Sequence, residues 1–213
     1  MPWLRAISWI PVCAILTLGA AVPQADESPE SASQVVENLH AALLDAMKHA
    51  RELGYEGRRA ALTPVVGQSF DFPFMARLAL GRGWRDLEES DQNRWVRAFE
   101  NLSLSTYAAR FDGWSGQAFE TIEVTDADHG TRLVKTRLLI PDNDPVQLHY
   151  RLRENANGWR IIDIYLDGTV SEVALRRSEF SSVFRRQGFD ALLGRLQAKI
   201  ESYAAGAVAS PST

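Results

Sequence analysis

Asp163 and Asp167 flank Tyr165 at two-residue steps, so on a strand all three project from one face. Two carboxylates with a phenol between them are residue types suited to general acid–base work, one carboxyl protonated and the other ionised. The competing reading is electrostatic. Asp163 pairs with a basic strand face of Lys135, Arg137, His149 and Arg151, and Asp167 belongs to the turn before Gly168. Other chemistries find less support. His40, His49, His129 and His149 never pair at the spacing a metal requires, so no metal site is expected. The glycines of Gly81–Trp84 follow a helical pattern and lack a phosphate-loop lysine, and Gly113-Trp114-Ser115-Gly116 is one residue short of a nucleophile elbow. No cofactor and no catalytic residue is therefore assigned with the carboxylates left as the one enzymatic alternative.

The elements that must position these residues fall into two kinds. Four strand-like runs cover about 117–125, 132–140, 145–153 and 159–167, separated by the short breaks DADHG, PDND and ENANG, which predicts an antiparallel meander. Val146, Leu148, Tyr150 and Leu152 alternate with polar residues, as do Ile162, Ile164 and Leu166, so one sheet face is apolar. Helical periodicity surrounds the strands. One stripe runs Val35, Val36, Leu39, Ala42, Leu43, Ala46 and Met47, with Gly54 as its stop; a second helix covers 57–70 with a break near Pro64. Asp71 is placed to cap a third, ended by Gly81, and Ser90 to open a fourth carrying Trp95, Phe99, Leu102 and Thr106 on one face. Helices over about 171–187 and 189–203 close the order. Helices, strands, then helices predict an α+β domain: a curved four-stranded antiparallel meander wrapped by about six helices.

The chain begins with Arg5, an uncharged apolar run and the small residues Gly19 and Ala21, the layout of an export signal cut after Ala21. Residues 1–25 are thus expected to be a signal peptide and its cleavage region, directing the protein out of the cytoplasm. The alternative is a retained anchor, although Ala6–Val22 is short for a span and contains Pro11. Residues 26–33 read as a flexible leader, 34–204 as a single domain, and 205–213 as a disordered tail. The lone cysteine, Cys13, lies inside the export segment, so the remaining domain has no thiol and no disulfide. A net charge of −4 argues against general nucleic-acid binding. Nothing in the pattern calls for a second copy, and a monomer is expected.

What stands out is an excess of large apolar side chains. Trp84, Trp95, Phe99, Tyr107, Phe111, Phe180, Phe184 and Phe189 adjoin an aliphatic sheet face of Leu138, Ile140, Leu148, Tyr150, Ile164 and Leu166. If they interdigitate they are ordinary core; if sheet and helices stand apart they line a cavity for an apolar ligand.

Three ordered blocks resemble a known family. Phe70, Asp71, Ala76, Arg77, Leu78, Leu80, Gly81, Trp84, Gln92 and Phe99 fit the helix–GxxW–helix signature of MlaC-type periplasmic lipid-binding proteins, the toluene-tolerance family. A second block starts at Tyr107. The third, Trp159 to Leu196, is similar to that family's W-x-x-x-D-x-x-x-x-G strand end and its two following helices. Thr-Val-Ser-Glu after Gly168, LRRSEF and YAARFDGWSG look more like the hopanoid-biosynthesis-associated (HpnM) branch.

The resemblance implies an NTF2-like or MlaC-like fold with an apolar pocket, and a protein that is not an enzyme. It implies a carrier that shuttles a lipid, a phospholipid or a hopanoid, between membrane components. The implied partner is an inner-membrane MCE/ABC system in the first case and an RND-type transporter in the second. A lipid tail in water costs about 0.8 kcal/mol per CH₂, a cost that an apolar pocket removes. The expected lipid-binding residues are Phe74, Leu78, Trp84, Phe99, Tyr107, Leu138, Leu148, Tyr150, Ile164, Leu166, Val173 and Phe180. The arginines of Arg151–Glu154, Arg176-Arg177 and Arg185-Arg186 are candidate headgroup or partner contacts. Two alternatives stay open: a small NTF2-like enzyme using Asp163 and Tyr165, and a ligand-free scaffold of a membrane transport complex.

Overall fold

The structure, a computed structural model, describes residues 31–206. The expected export segment, the leader as far as residue 30 and the tail from residue 207 lie outside the described residues. The first helix begins inside the expected leader, because the Ser31 side chain caps it by accepting from the backbone N–H of Gln34.

Six α-helices are described: α1 (Ala32–Lys48), α2 (Ala50–Ser69), α3 (Phe72–Leu80), α4 (Glu89–Arg110), α5 (Glu172–Gln187) and α6 (Phe189–Ala204). A 3₁₀ segment, Gly81–Asp86, joins α3 to α4. The first stop falls at His49, not Gly54; Gly54 is instead a kink inside α2 with φ 59°, and α2 runs through Pro64. Asp71 caps α3 as expected, accepting from the Phe74 N–H at 3.1 Å. The start of α4 lies at Glu88, earlier than Ser90, without a side-chain cap; Glu89 and Asp91 sit in its first turn, where acids favour the helix dipole.

The strands are β1 (Ala118–Ala127), β2 (Thr131–Leu139), β3 (Val146–Asn155), β4 (Gly158–Leu166) and β5 (Val170–Ser171), hydrogen-bonded in sequence order as an antiparallel meander. The expected four strands thus become five. Asp167 and Gly168 both adopt positive φ and form a two-residue turn, closed by Thr169 N–H donating to Leu166 O, that folds the chain back onto β4. A Cβ at Gly168 would lie 2.7 Å from Gln147 Oε1, so this turn also needs a glycine for space.

Ile161, not Ile162, pairs with Leu152, because a bulge at Ile162 inserts one residue into β4. The simple alternation read from Ile162 to Leu166 therefore breaks there. Both isoleucines are buried.

The helices cover the inner sheet face. α1 crosses β1, β2 and β4, while α4 packs among α2, α3 and α6. Trp95 of α4 is fully buried and donates its indole N–H to Ala76 O at 2.8 Å, locking α4 to α3. Phe70 bridges to Ile161, and Asp71 N–H donates to Ile161 O, which pins the α2–α3 junction to β4. Arg153 of β3 reinforces that junction, forming an ion pair with the nearly buried Asp71 at 2.7 Å while its guanidinium lies 4.0 Å from the Phe74 ring centre.

Candidate functional site

Between the sheet and the helices lies a cavity of about 390 Å³. The sheet supplies Leu138 near the end of β2, with Ile140 just after it, Leu148 and Tyr150 from β3, and Ile164 and Leu166 from β4. Register explains the grouping: Thr136, Leu148 and Leu166 align across three strands, and so do Val134, Tyr150 and Ile164. Helices supply the opposite wall. Met47 comes from α1, Phe72 and Met75 from α3, Phe99, Ser103, Thr106, Tyr107 and Arg110 from α4, and Glu172, Val173 and Arg176 from α5. Phe70 and the Phe111–Gly113 loop complete it, with Gln117. Leu138, Leu148, Ile164 and Leu166 are only half-buried, and each lines this space.

Eight of the twelve residues expected to bind lipid thus line one cavity: Phe99, Tyr107, Leu138, Leu148, Tyr150, Ile164, Leu166 and Val173. The other four sit elsewhere. On α3 the inward stripe is Phe72 and Met75, so Phe74 points away and stacks its ring against Arg153 and Arg77. Leu78 and Trp84 pack on the core. The GRGW glycines serve the same packing: a Cβ at Gly83 would meet the Phe184 ring at 2.7 Å. Phe180 continues the Val173–Arg176 stripe of α5 beyond the cavity, where its ring meets Trp95 and Phe99 edge-on.

Phe111 and Ile140 belong to the apolar excess read from the sequence, and Arg176 to its candidate headgroup contacts; the lining residues the pattern did not assign are Met47, Phe70, Phe72 and Met75, together with the polar set from Ser103 to Glu172. A signal for part of that set existed. Phe99, Ser103, Thr106, Tyr107 and Arg110 recur at three- and four-residue steps on α4, so they share a face whose polarity rises toward its C-terminus.

The polar groups in and behind the cavity are of two kinds. Several are satisfied. Ser103 and Thr106 hydroxyls donate to Phe99 O and Leu102 O. Arg176 Nε donates to Glu172 at 2.9 Å and is mostly enclosed. The Tyr150 hydroxyl lies 3.0 Å from Nε2 of His40, whose ring stacks on Phe119 at 3.8 Å. Burial pushes the His40 pKa down to about 3 and holds both Tyr150 and Tyr107 well above the ordinary phenol range, so all three rings are neutral. Three groups, the Tyr107 hydroxyl, Arg110 and Asp112, form no hydrogen bond or ion pair among the described residues, and Arg110 and Asp112 are exposed.

Asp163 and Tyr165 do not line the cavity. Asp163 accepts from Ile164 N–H, Val173 N–H and the Ser171 hydroxyl, so both its oxygens staple β4 to the start of α5. Partial burial raises its pKa against those bonds. It does not pair with the basic face either: Lys135 and Arg137 reach Glu123 and Glu120 across β1, and Arg151 donates to Thr131 and to Asp128 O.

The family described as MlaC protein matches residues 37–198. No curated protein matches the chain. Among solved structures, the chain is similar to a phospholipid-binding protein from Ralstonia solanacearum, solved in complex with a phospholipid. The likeness has a TM-score of 0.68 at 23% identity and covers 82% of this chain and 99% of that one.

Proposed function

The chain belongs to the MlaC protein family, and from that premise we propose that it is a periplasmic carrier that holds a phospholipid in the cavity between sheet and α4. One observation carries the reading. The walls are formed by aliphatic and aromatic side chains from β2, β3, β4, α3 and α4, and the polar groups without a protein partner gather at the α4 C-terminus. Such a space has no use for water and suits a chain of CH₂ groups, each sheltered by about 0.8 kcal/mol. The related fold of a protein described as phospholipid-binding supports the same reading. The family match and the related phospholipid-binding fold support a binding role for this cavity.

Phe99, Tyr107, Leu138, Leu148, Tyr150, Ile164, Leu166 and Val173 are the proposed tail contacts. Delivery passes between membrane components, with an inner-membrane transporter as the partner. A hopanoid is the second reading, and the HpnM-like residues after Gly168 favour it. The test is lipid extraction and native mass spectrometry of the protein isolated from its own cells. A stoichiometric phospholipid is expected. Protein that repeatedly emerges empty, and that takes up no lipid from vesicles, would refute the carrier reading.

A further inference from the structure

The lining face of α4 is polar at one end only. From Phe99 to Arg110 the lining face of α4 spans about 16 Å at 1.5 Å per residue, and its polar character grows along that length. A ligand there has its apolar end near Phe99 and its polar end near Arg110.

The charges of the lining are balanced. Four charged residues line the cavity: Arg110, Arg176, Asp112 and Glu172. Arg176 and Glu172 neutralise each other through their ion pair. That leaves one cation, Arg110, and one anion, Asp112, two residues apart and both exposed. Neither forms a hydrogen bond or ion pair among the described residues, and the Tyr107 hydroxyl one helical turn before Arg110 forms no hydrogen bond, while the Arg110 charge acts on it.

Building on the carrier reading, we propose that these three groups select the headgroup of a zwitterionic phospholipid. The Tyr107 hydroxyl and the Arg110 guanidinium take its phosphate, and the Asp112 carboxylate takes its ammonium. The local field agrees. Asp112 follows the C-terminus of α4, where the helix dipole favours a cation and disfavours a second anion. Arg110 supplies the charge that holds the phosphate against that dipole. A net-anionic headgroup would satisfy Arg110 and leave Asp112 facing like charge. A lipid with only hydroxyls would leave Arg110 without an anion.

The experiment uses the full protein, stripped of lipid and incubated with vesicles of equal phosphatidylethanolamine and phosphatidylglycerol bearing identical acyl chains. Bound lipids are counted by mass spectrometry, and diphenylhexatriene fluorescence reports the apolar cavity without a headgroup. Phosphatidylethanolamine is expected to be enriched about two- to fivefold, the range that an exposed ion pair carries. Asp112→Asn should abolish the enrichment by lowering bound phosphatidylethanolamine to the level of phosphatidylglycerol. Arg110→Gln should lower both phospholipids about two- to fivefold and leave diphenylhexatriene binding unchanged. Equal loading of both lipids by the unaltered protein, or an enrichment that survives Asp112→Asn, overturns the headgroup inference alone. Failure to take up either phospholipid overturns the carrier reading, and this inference with it.

Discussion

His40 sits on α1 with 4% of its surface exposed, its ring stacked on Phe119 and its Nε2 against the Tyr150 hydroxyl. No acid is near enough to favour its cation, and burial alone carries its pKa from 6.5 down to about 3. Its contribution to stability is therefore complete above pH 6.5 and is lost as pH falls from there toward 3, because the unfolded chain binds the proton first. At one proton per molecule the loss is about 1.4 kcal/mol per pH unit, so lowering pH from 7.5 to 4.5 costs about 2.5 kcal/mol. His149 is also shifted down, chiefly by burial, and acts in the same direction; Asp163 is shifted up and acts in the opposite one. The double variant His40→Phe/Tyr150→Phe isolates the effect, since it replaces both partners of one hydrogen bond by apolar rings. Urea unfolding followed by tryptophan fluorescence at pH 7.5, 6.5, 5.5 and 4.5 measures it. The unaltered protein should lose about 2.5 kcal/mol more than the double variant across that range. Equal losses in the two proteins would refute the assignment of a neutral, buried His40.

Three further outcomes are expected. Leu148→Trp, which fills the cavity from its centre, should lower phospholipid uptake from vesicles more than about tenfold while the melting temperature shifts by only a few degrees. Asp163→Ala removes the acceptor for Ser171 and Val173 and should destabilise the domain by about 1–3 kcal/mol in chemical denaturation, with hydrogen exchange increasing first at the start of α5. Gly83→Ala forces a methyl against Phe184 and should cost about 1–3 kcal/mol, a loss partly relieved by Phe184→Leu in a double-mutant cycle.

Much of the fold was legible because local rules and tertiary demands agree. Period-two alternation with short turn-rich breaks placed β1 to β4 within a few residues, and Asp71 caps α3 in the structure as the sequence reading expects. Errors came where a short-range feature was overruled or too small to read. Gly54 ends no helix because α2 resumes beyond its kink, and β5 is only two residues long. The bulge at Ile162 has no sequence signature of its own, since both neighbours are aliphatic.

For the site, the amino-acid sequence by itself determined composition: many apolar side chains, no metal spacing, and one face of α4 graded from Phe99 to Arg110. It also carried the three family blocks. Whether an apolar residue fills a core or lines a space depends on the distance between sheet and helices, which no periodicity encodes. Tertiary structure decided that Phe180 is packed between Trp95 and Phe99 while Val173 on the same stripe faces the cavity. It also turned Asp163 from a candidate acid into a staple. Its three donors come from β4, β5 and α5, and only the β4–β5 turn brings them to one carboxylate.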